Sequence, residues 1–271
     1  MNVLVSIDKN YIRYFKVTLF SLSANTDAEL CVYVLHCDLS ADDVADITET
    51  FPKVKFVFIE MDDEYFRGFP TVKRYPYTVY YRIFAPLLLP ETVERILYID
   101  CDLIVHNDVS EFYNTPFDGN LFIACTHNGR GMKLFNCIRL GRNKDYVYMN
   151  TGVMLMNVKA LRAQLDIDKI RKYTIRNKWR LALYDQDILY SFYGNQVKLE
   201  NPLVYNLTDR HFNFYNAKHK DKIDGAWVDE NNVIFHYIGR RKPWKDNYMG
   251  KFAEYYKEYE RRAFEKNASE K

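Results

Sequence analysis

Over its first hundred residues the chain alternates short apolar runs with stretches of helical periodicity. Residues 2–7 form an apolar run. A helical pattern follows over 10–25, with Phe15, Leu19 and Leu22 on one face. Residues 31–35 make a second strand. Ser40 and Asp43 have the spacing of a capping box and open a helix to about Phe51. A third strand spans 55–60. Residues 78–85 are helical, Pro86 ends or kinks that helix, and Pro90 closes the segment. A fourth strand, 95–99, delivers Asp100 at its end. This β-α-β-α-β order predicts an α/β fold with a mainly parallel sheet and helices on both faces. Ligands of such sheets sit at the carboxyl ends of the strands. Asp8, after the first strand, and Asp100 and Asp102, after the fourth, are therefore expected on one edge.

The second half is less regular. Residues 121–126 and 149–157 read as strands, and 158–177 as a helix broken or bent near Asp166. Residues 185–193 read as a short helix, and 233–237 as a strand that carries His236 into a turn over 239–244. No low-complexity linker or repeat divides the chain. With 271 residues, 48% of them apolar, one compact unit with a sizeable core is expected.

The net charge of +2 excludes bulk nucleic-acid binding, which needs a basic surface, so no nucleic-acid partner is expected. Cys31, Cys37, Cys101, Cys125 and Cys137 form no CxxC pair and read as free thiols of a reducing compartment. The N-terminus has no signal-peptide pattern, and no apolar run reaches the ~20 residues that span a bilayer. The expected location is the cytoplasm. The 23 tyrosines have two readings, codon usage or aromatic platforms for sugars and bases. Residues 249–266 are helical, with Phe252, Tyr255, Tyr256 and Tyr259 on one stripe and Lys251, Lys257, Arg261 and Arg262 beside it. The first reading is a helix packed on the domain. The second is peripheral contact with an anionic membrane, at its inner face.

Four groups of residues carry chemistry. In the run from Ile96 to Val105, Asp100 and Asp102 interrupt an otherwise apolar stretch. Charge buried there calls for a cation, and carboxylate oxygens suit Mg²⁺ or Mn²⁺. His236 also lies at a strand end, and an imidazole shifts preference toward Mn²⁺. After it, Gly239 would let backbone approach a phosphate and Lys242 would supply a point charge. Asp185, Gln186 and Asp187 open a helix, and Asn150-Thr151-Gly152 sits between strand residues. Each group alone has a structural reading: strand-end turn, buried histidine, N-cap, bulged strand.

Together and in this order the motifs resemble glycosyltransferase family 8, the group of bacterial lipopolysaccharide α-galactosyl- and α-glucosyltransferases and the glycogenins. The resemblance runs from Asn2 to Trp244. It implies a GT-A fold, a single Rossmann-like mixed sheet, with the catalytic domain over 1–248 and a basic aromatic helix and tail over 249–271. It implies retaining transfer of galactose or glucose from a UDP-hexose to a glycan, lipid-linked or protein acceptor. The cofactor would be Mn²⁺, with Mg²⁺ as the alternative.

Residue by residue, Ser6, Asp8, Asn10 and Tyr11 resemble the uridine-binding loop, with Asp8 and Asn10 on base or ribose and Tyr11 stacked on the uracil. Asp100 and Asp102 match the D-x-D, with Cys101 touching ribose through its backbone. His236 matches the third metal ligand, and Gly239 and Lys242 match the diphosphate contacts in H-x-x-G-x-x-K-P-W. Arg82 and Asn150 match donor-sugar contacts. Asp185 and Gln186 match the pair facing the anomeric carbon, and Asp187 is kept as an alternative nucleophile. Residues 126–145 match neither the galactose-acceptor nor the glucose-acceptor type. The rival classes are a haloacid-dehalogenase-type phosphatase, which also has D-x-D after a strand, and a non-catalytic UDP-sugar-binding protein.

Overall fold

The computed structural model describes residues 1–71 and 76–265. Lys266, the expected last residue of the C-terminal helix, and the tail to residue 271 lie outside the described residues.

The strands are β1 (Asn2–Ser6), β2 (Cys31–His36), β3 (Lys55–Glu60), β4 (Arg95–Ile99), β5 (Leu103–Val105), β6 (Phe122–Ala124), β7 (Val153–Asn157), β8 (Val197–Leu199) and β9 (Ile234–His236). The helices of the first half are α1 (Ile12–Ala24), α2 (Ala41–Thr50), α3 (Thr78–Leu88) and α4 (Ser110–Asn114). Those that follow are α5 (Arg130–Leu140), α6 (Val158–Gln164), α7 (Ile167–Asn177), α8 (Tyr184–Tyr193), α9 (Pro202–Tyr205), α10 (Asp209–Lys218), α11 (Gly225–Asn231) and α12 (Ala253–Glu265).

Seven strands form one sheet in the order β3-β2-β1-β4-β7-β6-β8, while β5 and β9 pair as a separate antiparallel ribbon. In the large sheet only β7 runs against its neighbours. The mixed, mainly parallel sheet expected from the alternating pattern is present. Strand pleating sends alternate residues to opposite faces, and both faces are covered. Leu4, Tyr33, Leu35, Tyr98 and Met154 pack with Tyr80, Phe84, Ile188 and Tyr190 of α3 and α8. Val3, Val5, Val32, Leu97 and Leu155 pack with Phe15, Leu19 and Leu22 of α1 and Ile47 of α2.

A third cluster gathers Ile104 and Phe235 of the ribbon with Leu207, Phe212 and Val228 and with Phe252, Tyr256 and Tyr259 of the C-terminal segment. The aromatic stripe of α12 is therefore core. Asn25 Nδ2 donates to the Tyr259 hydroxyl at 2.8 Å. Two of the four basic residues beside the stripe are matched within the helix, Lys257 with Glu254 at 3.1 Å and Arg261 with Glu258 at 2.8 Å. This matches the first reading of α12, a helix packed on the domain, with Phe252, Tyr256 and Tyr259 buried inside the protein.

Pro86 also differs from expectation, because it lies inside α3 and the helix continues to Leu88. In the last turn a proline forfeits one backbone bond rather than a whole ladder. Arg162 of α6 then gathers the carbonyls beyond it, donating to Pro86 O at 2.7 Å, Leu89 O at 2.9 Å and Pro90 O at 2.7 Å. The expected break near Asp166 is real, since its carboxylate caps α7 by accepting from Lys169 N–H at 2.9 Å.

Candidate functional site

The site forms where the chain passes from the large sheet to the ribbon. β4 ends at Ile99 and β5 begins at Leu103, so Asp100-Cys101-Asp102 is the crossover between the two. Ribbon register sets Leu103 opposite His236, which brings the imidazole to the same point. Oxygen atoms of Asp100 and Asp102 and a ring nitrogen of His236 all lie within 4.8 Å of one another. His236 Nε2 is 3.1 Å from Asp102 Oδ1 and 3.9 Å from Asp100 Oδ2.

The reversed strand supplies the floor. Because β7 runs against β4, its entry turn, Asn150-Thr151-Gly152, meets the exit of β4, and Asp100 N–H donates to Gly152 O at 2.8 Å. A Cβ at position 152 would overlap the His236 ring and lie 2.6 Å from Asp100 Oδ2. Only glycine leaves that space open.

The histidine is oriented from behind. His236 Nδ1 is 3.0 Å from Asn206 Oδ1, and Asn206 Nδ2 donates to Asn150 Oδ1 at 3.0 Å. Asn150 Oδ1 also accepts from Gly152 N–H at 3.1 Å. With its amide nitrogen committed to Asn150, Asn206 presents an oxygen to His236, so Nδ1 carries a proton on that side and Nε2 is the ring atom that faces the carboxylates. Asn206 is fully buried.

Charge is balanced by two cationic arms. Lys242 contacts Asp102 Oδ2 and donates to Tyr237 O at 2.9 Å. Burial works against the ionised form of Asp102, but Lys242 and His236 outweigh it and hold its carboxyl well below the usual carboxylate range. On the other side Arg82 lies 3.0 Å from Asp100 Oδ1 and 3.4 Å from Asp185 Oδ2, and donates to Thr151 O at 2.7 Å. Its guanidinium also stacks over the Tyr98 ring, 4.3 Å from the centroid. Burial opposes the charge of Arg82, and Asp100, Tyr98 and Asp185 more than restore it. Asp185 accepts from Thr151 Oγ1 at 2.8 Å, yet burial exceeds the help of Arg82 and Thr151 and raises its carboxyl above the usual value.

The first loop closes the opposite wall. Asp8 caps the turn Lys9–Tyr11 by accepting from Asn10 N–H at 2.9 Å. Tyr11 is partly exposed and edges onto Tyr14 at 5.5 Å and Trp244 at 6.5 Å between centroids, while Tyr14 and Trp244 stack at 3.8 Å. Burial first, then the negative charge of Asp102 and other acidic neighbours that include Asp8 and Asp100, pushes the Tyr11 hydroxyl up to about 12. Gly239 turns with φ +108° between His236 and Lys242, a left-handed position. Ser6 ends β1, its hydroxyl buried without a hydrogen-bond partner, and Cys101 is buried between the two aspartates.

Tyr11, Arg82, Asp100, Asp102, Asn150, Asp185, His236 and Lys242 are thus linked around one point. Gln186 follows Asp185 on α8, and its backbone N–H bonds the Asp185 carboxyl. Asp187 is turned elsewhere, into the protein body. Arg139 grips it with two bonds of 2.7 and 2.6 Å, Tyr148 donates at 2.5 Å, and Ala182 and Leu183 N–H donate at 2.6 and 3.2 Å. Asn206 and Tyr98 join the site without having been singled out from the sequence, and Thr151 enters from the motif in which only Asn150 was given a role. For Asn206, a lone polar residue among apolar neighbours reads as a turn until its burial is seen.

The donor set suits a divalent cation. Two carboxylates bring negative charge, the imidazole adds a softer nitrogen, and Gly152 lets Asp100 and His236 close over its backbone. Among the described residues no helix is long and apolar enough to cross a membrane.

Comparison with known proteins agrees with this architecture. General stress protein A of Bacillus subtilis is 25% identical, over 96% of this chain and 92% of its own length. The lipopolysaccharide 1,3-galactosyltransferase of Salmonella typhimurium is 25% identical over 90% of this chain and 72% of its own. The structure of the galactosyltransferase LgtC in complex with donor and acceptor sugar analogues matches with a TM-score of 0.82, at 24% identity, over 96% of this chain and 95% of that one, and the fold is the same GT-A fold. The model of glycosyl transferase family 8 matches residues 2–248, which sets the phosphatase reading aside. The chain belongs to glycosyl transferase family 8 and is a glycosyltransferase.

Proposed function

We propose that the protein moves galactose or glucose from a UDP-hexose to a glycan acceptor, with the α configuration retained and Mn²⁺ as cofactor. The observation that carries this reading is the convergence of Asp100, Asp102 and His236 between two cationic arms, Lys242 and Arg82. A cation held by those three side chains would supply Lewis-acid stabilisation of the leaving diphosphate. His236 supports Mn²⁺ over Mg²⁺, because nitrogen ligands suit the softer ion.

The chain's own residues do the rest. Tyr11 offers its ring to the uracil, and Asp8 and Asn10 offer side chains to base or ribose, with Ser6 and the Cys101 backbone beside them. Lys242 neutralises phosphate oxygen, and the open turn at Gly239 lets backbone approach it. Arg82, Asn150, Asp185 and Gln186 bind the hexose and fix its anomeric carbon.

Retention follows one of two routes. A covalent route needs a nucleophile on the β-face. Gln186 carries an amide, which is a poor one, and the Asp187 carboxylate is saturated by Arg139, Tyr148 and two backbone amides. This favours same-face attack. The acceptor oxygen bonds to the anomeric carbon as the bond from that carbon to the β-phosphate oxygen breaks. The acceptor proton passes to a phosphate oxygen, and UDP departs.

The test is donor turnover, as transfer or slow hydrolysis of UDP-galactose and UDP-glucose. EDTA stops it, and Mn²⁺ restores it better than Ca²⁺, which prefers an all-oxygen shell. Asp102→Ala abolishes it while the protein still unfolds cooperatively. Equal rescue by Ca²⁺ removes His236 from the ligand set, and full turnover of Asp102→Ala removes the metal reading altogether.

A further inference from the structure

Helix α5 is apolar on both sides. Cys137 and Leu140 are buried with Asn136, while Met132, Leu134, Phe135 and Ile138 face solvent, Ile138 at 75% exposure. An ordinary surface helix keeps its outer side polar. Beside it, in the turn between α7 and α8, Trp179 stands 90% exposed and Leu183 is exposed as well. Scattered apolar residues on a surface need no explanation, but a contiguous group does.

The group is built rigidly. Arg139 of α5 donates to Arg180 O in the turn at 2.6 Å, to Asn136 Oδ1 at 3.0 Å and to Asp187 beneath. Gly141 closes α5 in the left-handed conformation at φ +63°, and Arg142 donates to Ser191 O at 2.7 Å. The apolar side chains are therefore held out on a fixed ridge.

Charge says what covers it. Residues 128–146 and 176–183 carry eight basic residues and one acidic, Asp145, although the whole chain has a net charge of only +2. Arg130, Lys133, Lys178 and Arg180 are exposed around the apolar group, and Lys178 lies over the Trp179 ring at 5.2 Å. Two copies of this face would repel each other in a symmetric dimer. Protruding apolar side chains and a tryptophan amid lysine and arginine fit an anionic headgroup layer.

We infer that α5 and the 178–183 turn dock the protein on an anionic lipid bilayer, through Phe135, Ile138 and Trp179 inserted among headgroups and Arg130, Lys133, Lys178 and Arg180 on their phosphates. Arg139 ties this face to Asp187 of α8, the helix that also carries Asp185, so docking would hold the sugar-binding residues at a fixed place relative to the bilayer. That consequence rests on the transfer reading and points to a lipid-linked acceptor. The docking itself does not.

The experiment is co-sedimentation of the full chain with phosphatidylcholine vesicles, with and without phosphatidylglycerol. The chain is expected to bind only the anionic vesicles, and less as salt is raised. Lys133→Glu with Lys178→Glu, and separately Phe135→Ser with Ile138→Ser, should each weaken binding about tenfold or more. Lys257→Glu on α12 should leave it unchanged. Trp179→Phe, at a side chain open to solvent, guards against misfolding: the wild-type emission should shift to the blue on anionic vesicles and the variant's should not. Thermal-shift binding of UDP with Mn²⁺ is read in parallel, so loss of the docking idea and loss of the transfer reading are separate results. Wild-type protein that ignores anionic vesicles, variants that bind as it does, or a dimer in gel filtration that the α5 variants dissociate would overturn the inference.

Discussion

Asp185 and Asp187 leave the first turn of α8 two residues apart, on opposite sides of the helix. Both are buried, and each faces an arginine. Asp185 shares Arg82 with Asp100 at 3.4 Å and borders the cleft, and burial leaves its carboxyl raised. Asp187 has Arg139 to itself in a two-pronged grip, with a tyrosine and two backbone amides filling its remaining lone pairs. The number of donors separates them. A carboxylate with spare capacity in a cleft is available to a ligand, and one fully subscribed inside the body is structure.

That contrast is open to direct attack. The largest effect is expected from Asp187→Ala, which leaves Arg139 without its carboxylate and should cost about 3–5 kcal/mol in urea unfolding. The surviving folded fraction should keep its turnover. If turnover disappears while stability holds, the assignment of the two roles is reversed. Asp185→Asn should do the opposite: donor turnover falls by roughly 10²–10³-fold, with the unfolding midpoint unchanged or raised. The sign follows from its raised carboxyl, whose ionised form the fold disfavours.

A smaller effect sharpens the same contrast on the metal side. Asn206→Leu removes the acceptor behind His236 without touching a ligand, and should weaken Mn²⁺ binding about 10–100-fold by calorimetry. The smallest is a pH effect. His127 contacts Asn206 O at 2.7 Å, and burial lowers its ring to about 4; His36, His106 and His211 are lowered too. These rings take up protons in the unfolded chain before they do so in the fold. The stability they lend is therefore present at pH 7 and above, and is lost as pH falls through 6.5 toward 4. His127 alone should account for about 2 kcal/mol between pH 7 and 5. His127→Gln should flatten the slope by that amount; an unchanged slope would mean that the ring is charged in the fold.

How much of this could be read from residues alone follows the same physics. β1 through β4 and their helices were legible because each strand is a short apolar run, α1 has an apolar stripe and α2 has a capping box. The strand-end aspartates followed from parallel topology. The exit of Asp102 into a second ribbon did not, because Leu103–Val105 resumes the apolar run of β4 after only three residues, and a strand-end turn does not say which sheet follows. Helix α5 escaped because apolar residues lie on both its inner and its outer side, so its period carries no sign of which side is core. The helices between Pro202 and Asn231 are short, and their boundaries are set by Asn201, Thr208 and Asp224 caps rather than by periodicity. Asn206 acts through a tertiary contact with a residue thirty positions away, and no local pattern encodes that.

Gly152 has a further implication. The proposed cation site depends on an atom that is missing, beneath two of its ligands contributed by separate sheets. Adding a single methyl group there would push Asp100 and His236 apart while leaving every ligand chemically intact. A variant of this family that keeps the whole acidic and imidazole signature but carries alanine at this position should accordingly be metal-blind, and its silence would be invisible to anyone who inspected the ligands alone.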